Sequence, residues 1–177
     1  MSPAQRQAAA LVEQGPRGAV RGPFAVLLHS PGGFTAAQQL GAYLRFESEM
    51  PATLRELAVL ATARHWRQDY EWRAHARIAL DVGVPQATID AVLDDKETGE
   101  FAPDEAAVLA FCRQLHRTQQ VDDQTYQRAQ DLLGPAGVID LCMVCGYYAL
   151  LAMAMNATRH PLPAADSPFD RTPGERL

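Results

Sequence analysis

Leu54, Leu57, Ala58, Ala61 and Ala63 recur at three- and four-residue spacing, the period of a helix with one apolar face. The pattern predicts an amphipathic helix from Thr53 to about Trp66. After a short break at Arg67-Gln68 the pattern resumes from about Asp69 to Asp81, and Gly83 followed by Pro85 marks a stop and a restart. Two helices joined this tightly run roughly antiparallel. A short helix then follows over Pro85–Leu93, with proline at its first position.

The flanking segments read the same way. Ala4–Gln14 predicts a first short helix, and Gly15–Pro23 a loop rich in glycine and proline. Phe24–Leu28 is an apolar strip that reads as a turn of helix, although periodicity leaves a short strand open. His29-Ser30-Pro31-Gly32-Gly33 breaks the chain, and Phe34–Glu49 is helical up to Met50-Pro51, where the residue before proline avoids the helical region. Asp94–Phe101 is a polar connection to a helix over Pro103 to about Arg117, and Asp122 caps another that runs to Leu133. Beyond Gly134-Pro135 comes Ala136–Ala157, the most apolar helix of the chain. Its uncharged portion, Leu141–Met155, falls short of the roughly 20 residues that span a bilayer, so it is expected to be a core or subunit-interface helix and not a membrane segment. The tail from residue 159 is expected to be extended and to lie against a neighbouring subunit. The expectation is an all-α chain with one domain over 24–158, preceded by a helix and linker (1–23) and followed by a tail (159–177).

Composition narrows the partners. With 177 residues, 47% of them hydrophobic and 21% charged, the chain can bury a sizeable core. A net charge of −5 argues against a nucleic-acid binder, whose footprint is basic. Residues 1–15 lack the apolar stretch of a secretion signal, so a cytoplasmic location with reduced cysteines is expected.

Chemistry concentrates between Thr53 and Val82. Antiparallel packing brings Glu56 toward His75, and Glu71 stands four residues before His75 on the same face. His65 and Tyr70 lie near the connection, while Arg64 and Arg73 are candidate cations for an acidic substrate. Plainer roles compete with each of these. Thr53-Leu-Arg-Glu56 fits a capping box, His75 fits a satisfied core histidine, Glu71 fits a solvated partner of His75 or Arg67, and His65 and Tyr70 fit simple packing. Cys142-Met-Val-Cys145 has the spacing of a redox pair or half a metal site, but inside so apolar a helix it reads as core, with Cys112 packed against it. Asn156-Ala-Thr158 matches a glycosylation acceptor that a cytoplasmic protein would never present. No phosphate loop, HExxH or Gly-x-Ser-x-Gly occurs, so neither metal nor cofactor is expected and the reaction falls to acid–base groups.

Three stretches in order, GPFAVLLHSP, LRELAVLATARHWRQDYEWRAHARIAL and GYYALLAMAMNA, resemble the carboxymuconolactone decarboxylase family, which also holds the alkylhydroperoxidase D-like enzymes. The resemblance implies an alkylhydroperoxidase D-like helical bundle. In the peroxidase branch a glutamate is followed by Cys-x-x-Cys and then a histidine. Glu56 and His75 fall on the outer two positions, while Gln68 and Glu71 stand where the thiols would be, which implies the decarboxylase-type branch. On that reading His75 is a general acid oriented by Glu56 or Glu71, and Tyr70 or His65 supports an oxyanion. The substrate is a small carboxylated lactone or unsaturated acid, and the assembly a homotrimer or homohexamer. The alternatives are an oligomeric paralogue that binds a small ligand without chemistry or, by family resemblance only, an alkylhydroperoxidase-like oxidoreductase.

Overall fold

The computed structural model describes residues 1–15, 18–97, 100–160 and 167–169. Among them there are eight α-helices and one π-helical segment. These are α1 (Pro3–Glu13), α2 (Pro23–Leu27), α3 (Pro31–Ala42), the π segment Tyr43–Glu47, α4 (Ala52–His65), α5 (Asp69–Asp81), α6 (Gln86–Leu93), α7 (Pro103–Thr118) and α8 (Asp123–Thr158). The all-α expectation holds, and Phe24–Leu28 resolves to the helix α2.

Several boundaries move for local reasons. The third helix starts at Pro31, three residues early, because proline at a first helical position outweighs the cost of Gly32 and Gly33 in an end turn. It passes into the π segment, which a buried acid anchors: Asp140 of α8 accepts hydrogen bonds from the Tyr43 and Ser48 hydroxyls. Pro85 caps α6 from outside and does not begin it. Asp122 caps α8 as predicted, its Oδ1 accepting the Thr125 N–H at 2.7 Å. Gly134, at φ 69° and ψ 173°, divides α8 ahead of Pro135, as its residue types predict.

The helix at the centre is α4, packed between α5, α7, α8 and α6. Every residue from Glu56 to Ala63 is buried, so α4 is covered on all sides and not amphipathic as its spacing suggested. The reason lies in its alanines, which let neighbours approach from the faces that larger residues do not claim. By contrast α8, expected to be a core or subunit-interface helix, buries Leu141, Val144, Tyr148 and Leu151 within the chain and exposes Ile139, Leu150 and Met153. By length and composition α8 is long and apolar enough to cross a membrane once Asp140 is tolerated, yet 61% of its apolar window is buried against the other helices. A second, smaller cluster of Ala8, Val12, Phe24 and Phe34 joins α1, α2 and α3.

The α4–α5 turn is latched to the end of α8. Gln68 Oε1 accepts the Tyr70 N–H at 2.7 Å while its Nε2 donates to Asn156 Oδ1 at 2.8 Å, and Asn156 Nδ2 donates to the Trp66 carbonyl. Asn156 is thus a tie between helix ends. Of the tail, the described piece 167–169 folds on its own chain, with Phe169 edge-on to Trp72 and its carbonyl bonded to Arg67. The remainder of the tail, for which contact with a neighbouring subunit was expected, lies outside the described residues.

Candidate active site

Antiparallel packing of α4 and α5 does what the sequence implies for its central pair. His75 Nδ1 lies 2.6 Å from Glu56 Oε2, and both side chains are almost fully buried. The competing capping box does not form: α4 begins at Ala52 with Pro51 at its cap, so Thr53 is already inside the helix and Glu56 turns to His75. A carboxylate can only accept, which assigns the Nδ1 proton to the histidine. Nε2 then faces the other way, 3.5 Å from Glu71 Oε2, one turn earlier on α5. The Tyr148 ring stands edge-on to the imidazole at 4.8 Å and fixes its plane. A buried imidazole is therefore held between two carboxylates.

This group opens on a cavity of about 240 Å³ that Glu71 and His75 line together with Tyr70, Tyr147 and Tyr148. Arg21, from the loop before α2, and Arg45, from the π segment, complete the wall. The lining is mixed, with an apolar side from Ile78, Leu151 and Phe24. Burial, reinforced by the Glu71 charge and opposed by Arg21, raises the Tyr70 phenol above its usual value, so it stays a proton donor. Gly22 makes room for that phenol. A Cβ there would come within 2.2 Å of the Tyr70 ring, and its φ of 55° already favours glycine.

The other predicted site residues go elsewhere. Arg64 donates through Nε to the Leu93 carbonyl and pairs with Asp95 at 3.4 Å, on the far side of α4. His65 is exposed there and stacks on His116 at 4.9 Å. Burial first, then the nearby His116, Arg117 and Arg64, lowers its pKa; it lines the pocket beside Asp95 and His116 and not the cavity at His75. Arg73, although half-buried on α5, is not among the residues lining the cavity. The cations that do line it, Arg21 and Arg45, were missed by sequence reasoning. Their only trace in the sequence is proximity to the GPFAVLLHSP stretch and to the Met50-Pro51 break. Cys145 pairs with Cys112 on α7, at 3.5 Å between sulfurs, and not with Cys142, which is half-buried. Among the described residues, no group of three or more His, Cys, Asp or Glu side chains is arranged to hold a metal ion.

Residues 31–114 match the sequence profile of the carboxymuconolactone decarboxylase family. No curated protein and no solved structure matches the chain. The matched segment runs from the start of α3 into α7 and so contains Glu56, Glu71 and His75, whereas Arg21, Tyr147 and Tyr148 come from outside it.

Proposed function

From a central segment, residues 31–114, that belongs to the carboxymuconolactone decarboxylase family, we propose that the chain is a carboxy-lyase acting by acid–base catalysis on a small carboxylated lactone or unsaturated acid. The observation that supports this most is the imidazole of His75 held between Glu56 and Glu71 at the wall of a cavity that also carries two arginines. In this reading Arg21 and Arg45 take the substrate's carboxylates, the role first expected of Arg64 and Arg73. Guanidinium suits it, because its fork matches carboxylate geometry. As the C–C bond to CO₂ breaks, the electron pair passes into a dienolate. The Tyr70 hydroxyl donates to the developing oxyanion. His75 in its doubly protonated form delivers a proton to carbon from Nε2 while Glu56 fixes the ring, and a proton from water that enters the emptied cavity, relayed by Glu71, restores it. A cavity of this size suits a ligand of one ring or a short chain.

Assembly belongs to the same proposal. Ile139, Met143, Gly146, Leu150 and Met153 follow one another at alternating three- and four-residue spacing along the open side of α8, and the spacing of such a stripe suits a second copy of the same helix. A homotrimer or homohexamer built on this face is expected, and Leu150→Asp should dissociate it. Light scattering that gives the 19.4 kDa monomer mass for the unmodified chain at micromolar concentration overturns the assembly.

The function is tested by offering a panel of carboxylated lactones and β,γ-unsaturated acids and measuring released CO₂. Release from at least one member, lost when its carboxylate is esterified, supports the lyase. Tight binding of a panel member without CO₂ release would favour the ligand-binding paralogue.

A further inference from the structure

The chemistry above leaves a buried thiol pair and a histidine unused on the far side of α4. Cys112 of α7 and Cys145 of α8 hold their sulfurs 3.5 Å apart, about 1.5 Å beyond the length of a disulfide bond. His116 stands one turn after Cys112, and its Nε2 shares a hydrogen bond of 2.9 Å with the Thr62 hydroxyl of α4. Hydrogen bonding from Cys112 pulls the Cys145 thiol down to about 6. His116 and Thr62 add to this against the opposing effect of burial. The same sulfur–sulfur contact, followed by burial, pushes Cys112 well up. Of the two thiols, Cys145 is therefore the one that gives up its proton more readily.

The surroundings favour negative charge. Arg64 from α4 and Arg113 and Arg117 from α7 converge on the carboxylate of Asp95, with His65 and His116 lining the same pocket. One nitrogen of the Arg113 guanidinium is buried there with no hydrogen-bond partner among the described residues. Between them lies a cavity of about 30 Å³, bordered by His116. That volume holds a molecule of water's scale or slightly larger, but no organic acid.

We propose that Cys145 and Cys112 form a second reactive centre, a dithiol that a small peroxide admitted beside His116 converts into a disulfide between α7 and α8. Cys145 passes its proton to the His116 imidazole and attacks one oxygen of hydrogen peroxide. The O–O bond breaks, sulfur gives up two electrons, and the departing hydroxide takes the proton back from His116 as water. The Cys145 sulfenic acid is then attacked by Cys112. An S–S bond forms, the S–O bond breaks, and the Cys112 proton leaves with the hydroxide as a second water. The Cys-x-x-Cys spacing is incidental here, since Cys142 takes no part.

The full chain is treated with an equivalent of hydrogen peroxide at pH 7, alkylated in denaturant and mapped by peptide mass. The expected product has lost two hydrogens, carries a Cys112–Cys145 crosslink and is alkylated at Cys142. Cys112→Ser should stop at a sulfenic acid on Cys145 that dimedone traps, and His116→Asn should slow oxidation by ~10-fold or more as the thiolate fraction falls. Crosslinking or sulfenic acid formation at Cys142, or oxidation that begins only once the chain is unfolded, overturns the proposal. The mapping on the unmodified chain decides this even where a variant fails to fold.

Discussion

Two histidines flank α4, and what stands behind each one separates them. His75 meets a carboxylate, Glu56, at 2.6 Å, while His116 meets a hydroxyl, Thr62, at 2.9 Å. A second carboxylate, Glu71, faces the other nitrogen of His75, whereas His116 is surrounded by arginines and stacked on His65. The first arrangement tolerates a charged imidazole and opens on a cavity of about 240 Å³, enough for an organic acid. The second favours negative charge on a neighbour, Cys145, and leaves about 30 Å³. One helix, α4, thus supplies the partners of both imidazoles, Glu56 and Thr62, in opposite electrostatic settings, and the residue types around each ring decide what it can do.

Removing the carboxylate behind His75 should break the contrast most severely. Glu56→Gln keeps the size of the side chain but replaces the charge with an amide, so turnover is expected to fall roughly 10²- to 10⁴-fold. The lost charge-assisted bond should lower stability by about 1–3 kcal/mol, read by denaturant titration. At Gly22 a side chain would strike Tyr70 while straining a left-handed backbone, so Gly22→Ala is expected to cost about 1–3 kcal/mol and to lower kcat by displacing the phenol. The arginines give the finest discrimination. Arg45→Gln should raise KM by roughly 10-fold, the worth of one bond to a charged group, with kcat little altered. Arg64→Gln, on the far side of α4, should leave KM unchanged and stability within about 1 kcal/mol. Equal effects of the two on KM would mean that the carboxylate is not held from the loop and the π segment.

The sequence carried the local half of this account. Glu71 and His75 share a face by spacing alone, and a break as short as the one between α4 and α5 leaves little choice but an antiparallel pair that brings Glu56 alongside. What spacing does not report is which neighbour a side chain meets on a helix that is buried all round. Arg64 and His65 were therefore assigned to the wrong side of α4. The choice is made by Asp95 and His116, which stand well downstream in the chain. Arg21 and Arg45 were invisible for a related reason: a loop and a π segment deliver them, and neither has a period to read. The Cys142–Cys145 spacing drew attention to the wrong partner, because residues three apart on a buried helix mark a face and not a bond. Cys112, on another helix, is the sulfur that Cys145 touches.

The central claim is that His75 moves a proton and is not simply a buried hydrogen-bonded side chain. His75→Gln keeps size and some hydrogen bonding but cannot carry a proton between two carboxylates. Measured side by side on a turned-over acid, the variant is predicted to lose roughly 10²- to 10⁴-fold in kcat with a melting temperature close to that of the unmodified chain. Normal turnover in the variant, or loss of turnover only because the chain no longer folds, would contradict it and leave His75 as a structural residue.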